Sequence, residues 1–265
     1  MRSILEYIKI SFVQSLQYRA ELLVWILLSV VNLVVLLLVW TGSLQPSSTV
    51  GGLTVGAIVQ YYFIVTLIDT TSAAHFETWR AQEVVEGKVD TYLTKPISYP
   101  FQVLYQDLGG KLFWLALSLP LLAGTYLLMA SYLPGSLPQI HWPGLPVFIL
   151  LLGFGYLVEF CLAMMTVLAT FWFEGAEGLQ HFKWVVLSLF SGMIIPLSLM
   201  PAWLQQLVNL LPFKYLYAVP IGVIQGSQTL SGNDLLVIIA SGLSLLVATT
   251  TVWNWAQKHY ASAGG

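Results

Sequence analysis

The sequence contains very little charge. Asp, Glu, Lys and Arg make up 8% of its 265 residues, whereas hydrophobic residues make up 57%. Soluble domains carry about 25% charged residues. The mean hydropathy of +0.80 also points to a chain that lies in lipid. The sequence therefore predicts an integral membrane protein, and without a basic stripe it predicts no nucleic-acid partner.

Cysteine and catalytic motifs are equally scarce. The single cysteine, Cys161, lies in an apolar run, which excludes a disulfide framework and a thiol metal site. The sequence has no HExxH, no Gly-x-Ser-x-Gly and no phosphate loop, and its four histidines are scattered. We therefore expect no enzymatic activity and no cofactor or metal in this chain, so that any ATP would be hydrolysed by another subunit.

The N-terminal segment, residues 3–19, predicts an amphipathic helix. Its apolar stripe consists of Ile4, Leu5, Ile8, Phe12 and Leu16. Such a helix can lie in the plane of the lipid headgroups. Glu6 and Lys9 interrupt the apolar core that a signal peptide would need, so we expect no cleaved leader.

Six hydrophobic stretches follow, each compared with the roughly 20 residues that a spanning helix needs. They are Leu22–Trp40, Leu53–Ala74, Leu112–Leu133, Leu145–Trp172, Trp184–Leu199 and Leu235–Trp255. The fifth is short and contains Pro196, which should bend it. The predicted fold class is an all-α integral membrane protein in which residues 1–265 form a single six-span domain.

The positive charges predict the orientation of the spans. Nine of the ten Lys and Arg residues fall on one side, and only Lys214 falls on the other. Because positive loops stay in the cytoplasm, we expect both termini and the loop 75–111 to be cytoplasmic. The loops 41–52 and 134–144, rich in Gly, Pro and Ser, should be external turns.

The segment 200–226 is too apolar for an external loop. Pro201, Pro212 and Pro220 divide it into pieces of about ten residues, which is too short for a span. We expect external re-entrant or interfacial helices. A broken seventh span is the alternative, and it would place the C-terminus outside.

A polar stretch between hydrophobic runs, Glu83–Phe101, lies within the predicted loop 75–111. Gly87 should end the preceding helix, and Pro96 and Pro100 should end the next one. Between them, Val89, Tyr92 and Leu93 form one apolar patch at helical spacing. This pattern is typical of a docking helix that a soluble partner grips. A solvated connector is the alternative.

Two acids lie within predicted spans. Glu159 is near the middle of the fourth span and Asp69 is near the cytoplasmic end of the second. Intramembrane charges are costly and often functional. Glu159 could bind a cationic substrate or carry a proton; alternatively, it is a protonated carboxyl bonded to a neighbouring helix.

Two motifs together resemble the permease subunits of type-2 ATP-binding-cassette (ABC) exporters, in the bacterial six-span branch. The first is Glu86-Gly87-Lys88-Val89-Asp90-Thr91-Tyr92-Leu93-Thr94-Lys95-Pro96, which is similar to that family's loop after the second span. The second runs from Ile195-Pro196 through Met200-Pro201 to Leu211-Pro212-Phe213, Pro220 and Gly226, and it resembles the external helices before the last span. The resemblance covers essentially the whole chain.

The resemblance implies an exporter in the cytoplasmic membrane, surrounded by lipid. Two permeases would bind two separate ABC ATPases, which hold the ATP and Mg²⁺. The second permease would be an identical copy or, as is frequent in this branch, a related chain. The implied ATPase-coupling residues are Glu86, Gly87, Lys88, Val89, Asp90, Tyr92, Leu93, Lys95 and Pro96. An apolar and aromatic path would favour a hydrophobic or amphiphilic substrate.

Two other functions remain open at this point. An ion-coupled secondary transporter could use Glu159 and Asp69 as its proton path, although the chain has no internal repeat. A membrane scaffold that transports nothing would also fit the composition. Co-purification with an ATPase separates the exporter from both alternatives.

Overall fold

The computed structural model describes residues 2–17, 19–43, 49–50, 53–132, 140–173 and 175–259. This part of the chain is almost entirely helical, with one antiparallel pair of two-residue strands, β1 (Thr49–Val50) and β2 (Leu53–Thr54). Its α-helices are α1 (Arg2–Gln17), α2 (Arg19–Ser43), α3 (Val55–Ser72), α4 (Glu77–Val85), α5 (Asp90–Leu93), α6 (Tyr99–Tyr132), α7 (Leu145–Ala169), α8 (Glu177–Phe190), α9 (Ala202–Leu210), α10 (Ala218–Ile224) and α11 (Gly232–His259).

The helices confirm the predicted fold class. In the described residues, four segments are long and apolar enough to cross a membrane: Val55–Val85, Tyr99–Leu128, Trp142–Ala169 and Gly232–Lys258. They correspond to the second, third, fourth and sixth predicted spans. The number rises to six if each of two sharply bent pairs is one span, namely Leu5–Gln17 with Ala20–Leu36 and Ala202–Leu210 with Pro212–Ile224.

The segment 75–111, predicted to be a cytoplasmic loop, contains more helix than the sequence predicts. Helix α6 begins at Tyr99 rather than at Leu112, so 13 residues of the expected loop belong to a helix of 34 residues. Pro100 lies in the first turn of α6, where a missing N–H leaves no hydrogen bond unmade. The segment is not generally solvated either, since Phe76, Glu77 and Gln102 are each at most 1% exposed.

The fifth predicted span, Trp184–Leu199, also has the wrong bounds. Helix α8 covers 14 residues, or about 21 Å, which is less than the roughly 30 Å of a bilayer core. The helix ends before Gly192, whose φ of +88° is unfavourable for any other residue, so Pro196, which was predicted to bend the span, lies beyond the helix. The chain then continues through turns and a 3₁₀ segment, Leu197–Leu199.

Helices α7 and α11 run side by side in the same direction. Gly242 of α11 faces Leu157 of α7, while the indole rings of Trp172, just after α7, and Trp255 stack with centroids 4.3 Å apart. Two parallel spans must be separated by an odd number of crossings. This packing argues against the seventh-span alternative, in which both α8 and 202–224 would cross and α11 would run the other way.

The external position of the segment 200–226 and of the loops 41–52 and 134–144 remains a prediction. The axes of Ala202–Leu210 and Pro212–Ile224 differ by 81°, a geometry that fits either a re-entrant segment or a broken span. Residues 44–48 and 51–52 of the first predicted external loop lie outside the described residues. So do residues 134–139 of the second.

Helix α1 packs along the start of α6, and its axis makes an angle of 82° with that of α2. The contact is close because Gly109 of α6 has no side chain: a Cβ there would overlap Ile8 O and lie 2.8 Å from Ser11 Cβ. The predicted apolar stripe is therefore divided. Ile8 and Phe12 face α6, whereas Leu5 and Leu16 point outwards.

Two apolar clusters hold the helices together. The larger one joins α3, α7 and α10 around residues such as Ile58, Leu151 and Ile221. The smaller one joins α4, the start of α6, the second half of α7 and the end of α11, with Phe76, Tyr99 and Trp253 among its members. The second cluster supports the candidate site.

Candidate functional site

The candidate site is the segment between α4 and α6, residues 86–98, which we call the coupling turn. It begins where α4 ends in a Schellman motif, with Lys88 N donating to Glu83 O at 2.9 Å and Gly87 N donating to Val84 O at 3.0 Å. Gly87 has a φ of +74°, which a glycine adopts without strain. The structure therefore confirms Gly87 as the residue that stops the helix.

The predicted apolar docking patch is split between the inside and the outside of the chain. Val89 is fully buried in the cluster with Tyr99 and Trp253, and Tyr92 is half-buried with its ring against that of Tyr99. Leu93 is the one member of the patch with a large exposed fraction, 42%. Val89 is therefore an anchor of the turn, and it cannot also be the surface that a partner contacts.

Gln102, on the first turn of α6, ties the coupling turn to two helices. Its Nε2 donates to Tyr92 O at 3.0 Å and to Ile97 O, and its Oε1 accepts from Tyr7 OH of α1 at 3.4 Å. The side chain is completely buried. Since a buried amide left without partners costs free energy, these bonds fix the path of the turn.

Two cations complete the support. Arg80 Nη1 donates to Glu83 Oε2 and to Tyr92 OH, both at 2.7 Å, and its Nη2 donates to Gln106 of α6. The Lys95 ammonium lies 4.9 Å from the ring centroid of Tyr92 and 5.6 Å from that of Tyr7. Cation–π contacts of this kind hold a flexible lysine in place.

The outer rim of the turn is polar apart from Leu93 and Pro96. Glu86 and Lys88 form an exposed salt bridge of 2.5 Å. Hydrogen bonds from Lys88 and Gln82 lower the pKa of the Glu86 carboxyl. Asp90, which begins α5, is half-buried. The turn therefore presents a small apolar and charged edge on a support that is buried in the chain.

A shallow groove of about 290 Å³ lies beside this rim. It runs between Leu93 and Pro96 of the turn and Trp253 and Gln257 near the end of α11. Its position shows that the end of the last helix lies next to the coupling turn.

The two acids predicted to lie within the membrane are bonded to different partners. Asp69 Oδ1 accepts from Tyr217 OH at 2.9 Å, and Glu159 Oε2 lies 3.2 Å from Lys183 Nζ. Lys183 also bonds to Glu77. Both carboxyls are therefore engaged by side chains from other parts of the chain, and the partner of Glu159 is an ammonium group.

A half-buried pair of charges on α6 was not predicted from the sequence. Lys111 Nζ donates to Thr71 O at 3.2 Å and to Ala73 O at 2.6 Å, so it caps the end of α3. Asp107, one turn earlier, accepts from Tyr156 OH at 2.7 Å. The signal that could have found them is a pair of charges four residues apart beside an apolar stretch, since these must turn inwards.

No group of three or more His, Cys, Asp or Glu side chains suited to a metal ion occurs among the described residues. A comparison with curated proteins gives no match. A comparison with protein families does: residues 26–264 match the family described as ABC-2 family transporter protein. This match covers far more than half of the chain and includes the coupling turn and the four unbroken span-length segments. On this evidence the chain belongs to the ABC-2 transporter family.

Proposed function

We propose that this chain is the permease of an ABC exporter and that the coupling turn is the surface by which a separate ATPase drives it. Family membership supports a membrane permease of an ABC transporter. In this proposal the energy comes from a separate ATPase, since the sequence contains no phosphate loop.

The observation that carries the proposal is the contrast between the base and the rim of the coupling turn. Its base is held by Val89, Gln102 and Arg80, which connect it to α1, α4 and α6. Its rim exposes Leu93. A solvated connector needs no such anchoring, whereas a segment that transmits force must move as one body with the helices behind it.

The proposed direction follows the resemblance to exporters, and the proposed substrate class follows the apolar and aromatic lining expected of a path between two such chains. We propose outward movement of a hydrophobic or amphiphilic molecule.

Bonding of Asp69 to Tyr217 and of Glu159 to Lys183 supports a structural role for these acids over an ion path. The ion-coupled alternative therefore gains no support from their geometry.

The assembly we propose contains two permeases and two ATPases. One chain supplies one coupling turn, whereas a dimer of ATPases presents two sockets. A related second permease is favoured over an identical copy. A purified complex with one permease for two ATPases would contradict this stoichiometry.

The orientation we propose places both termini in the cytoplasm. After replacement of Cys161, single cysteines at Ser47 and Ser136 should react with an impermeant thiol reagent in whole cells, and those at Thr91 and Ser262 should not. Labelling at Ser262 from outside would overturn it.

Docking tests the function directly. An affinity-tagged chain, expressed with the ATPases of its host, should retain an ABC ATPase through purification in mild detergent. Leu93→Asp should weaken this binding by more than about a hundredfold, because an unpaired charge buried in a contact costs about 3 kcal/mol or more. Lys88→Ala, on the same turn, should retain the ATPase. Retention of full binding and ATP hydrolysis by Leu93→Asp would mean that the turn is only a connector.

A further inference from the structure

A buried ion cluster joins the helix before the coupling turn to two other helices. Lys183 of α8 bonds to Glu77 of α4 and lies 3.2 Å from Glu159 of α7. The three side chains are 11%, 1% and 11% exposed, respectively. The second oxygen of Glu77, Oε2, is buried and has no hydrogen-bond partner in the described part of the chain.

A second polar bond lies next to this cluster. Thr78 Oγ1 donates to Gln180 Oε1 at 2.8 Å, so α4 and α8 are joined at two adjacent points. The rings of Phe76 and Phe160, with centroids 5.3 Å apart, add an apolar contact to α7. The start of α4 is thus fixed to α8, while its other end leads directly into the coupling turn.

The far end of α8 is bonded to the opposite part of the molecule. Ala218 N, at the start of α10, donates to Ser191 O at 3.1 Å. Tyr61 OH of α3 donates to Gly192 O, and Tyr62 OH donates to Ile194 O at 2.7 Å. Helix α8 therefore connects the ion cluster with the turn 191–194 and with the segment 202–224 beyond it.

We propose that Lys183 is a positioning residue that transmits movement of the coupling turn through α4 and α8 to the segment 202–224. This inference rests on the proposed function, in which an ATPase moves the turn. The bond of Lys183 to Glu77 keeps α4 and α8 together when the helices shift, and its bond to Glu159 keeps both attached to α7.

A role in stability alone makes a different prediction. Replacing a buried ion cluster by neutral groups of similar volume often leaves stability unchanged or raises it, whereas removing one partner is harmful. A triple variant, Glu77→Gln with Glu159→Gln and Lys183→Met, removes all three charges together. It should fold and bind the ATPase, but it should transmit movement poorly because it lacks the ionic bonds.

The test measures movement of the segment 202–224 and does not require a known substrate. A single cysteine replaces Leu210, which is 82% exposed on α9, in a chain without Cys161. The permease–ATPase complex is placed in lipid nanodiscs. The rate of reaction with a charged maleimide is then measured with and without ATP trapped by vanadate.

The wild-type complex and the Lys258→Met control should show a nucleotide-dependent change in this rate. In Lys183→Met and in the triple variant, the fold change in reaction rate that trapped ATP causes should be about tenfold smaller than in the wild type. The ATPase should still be bound in both variants. Lys183→Arg should restore part of the change. If Lys183→Met does not fold, the triple variant alone tests whether the charges of the cluster transmit movement.

A triple variant that responds like the wild type would overturn the inference, since the cluster would then serve stability alone. The inference would also be overturned if, in the otherwise wild-type complex, the reaction rate of Leu210→Cys did not change with the nucleotide. Failure of the proposed function is distinguishable, because it would appear earlier, as a wild-type chain that retains no ABC ATPase.

Discussion

Helix α4 has an ion pair or cluster at each end, and the two differ in burial. At its start, Glu77 meets Lys183 in a cluster whose side chains are at most 11% exposed. At its end, Glu86 meets Lys88 in a pair whose side chains are 38% and 63% exposed. Similar chemistry therefore serves as an attachment at one end and as a solvated rim at the other.

This difference in burial fits the role proposed for each end of α4. Water and salt screen an exposed pair, which contributes little to folding. A buried charge that loses its partner has no water to replace it. The start of α4 should therefore resist displacement, while the rim near Lys88 is free to rearrange around a partner.

The strongest test of this difference is to make the same substitution, Lys to Met, in the ion pair or cluster at each end of α4. Lys183→Met leaves two buried carboxylates facing each other and should lower the free energy of unfolding by about 3–5 kcal/mol. A large drop in melting temperature in detergent would report it. If Lys183→Met melts like the wild type, the cluster does not attach α4 to α8.

Gly192→Ala should have the next largest effect. The φ of Gly192 is +88°, and a Cβ at this position would lie only 2.9 Å from the Tyr61 hydroxyl, so both features disfavour a side chain. A residue other than glycine in this conformation costs about 1–3 kcal/mol. Gly178→Ala, in α8 with open space around it, is the matched control and should leave the melting temperature unchanged or raise it.

Lys95→Ala should have a smaller effect on the coupling turn. It removes the cation held over Tyr92 and Tyr7, which is worth about 0.5–1 kcal/mol at an exposed site. Faster hydrogen exchange of the backbone amides in residues 90–98 would measure the loosening. Unchanged exchange would show that Gln102 and Val89 are sufficient to hold the turn.

Lys88→Met is the smallest change and completes the comparison with Lys183→Met. Because Lys88 and Glu86 are solvated, we expect no measurable change in melting temperature. A destabilisation similar to that of Lys183→Met would erase the difference between the two ends of α4.

The sequence predicts the features that depend on local pattern. Gly87 ends α4 because a helix needs a residue with positive φ at that position in a Schellman motif, and glycine is the usual choice. The long apolar runs around residues 60, 120, 155 and 245 likewise predict their spans by length and composition. These inferences need no knowledge of the tertiary contacts.

What the sequence could not predict depends on contacts between distant residues. Val89 and Leu93 are both apolar and one helical turn apart, yet only packing against Tyr99 and Trp253 decides that Val89 faces inwards. The pairing of Glu159 with Lys183 joins two helices through a contact that no spacing rule gives. Likewise, the close approach of Tyr61 and Ala218 to Gly192, just after α8, cannot be read from the sequence.

The most direct test of the central claim is to ask what lies against Leu93 in the cell. A photo-crosslinking amino acid is introduced at position 93 and, as a control, at Trp203, which is 68% exposed on α9. We predict an adduct with an ABC ATPase from position 93 and none from position 203. Absence of that adduct from position 93 in a complex that still contains the ATPase, or its appearance from position 203, would contradict the account.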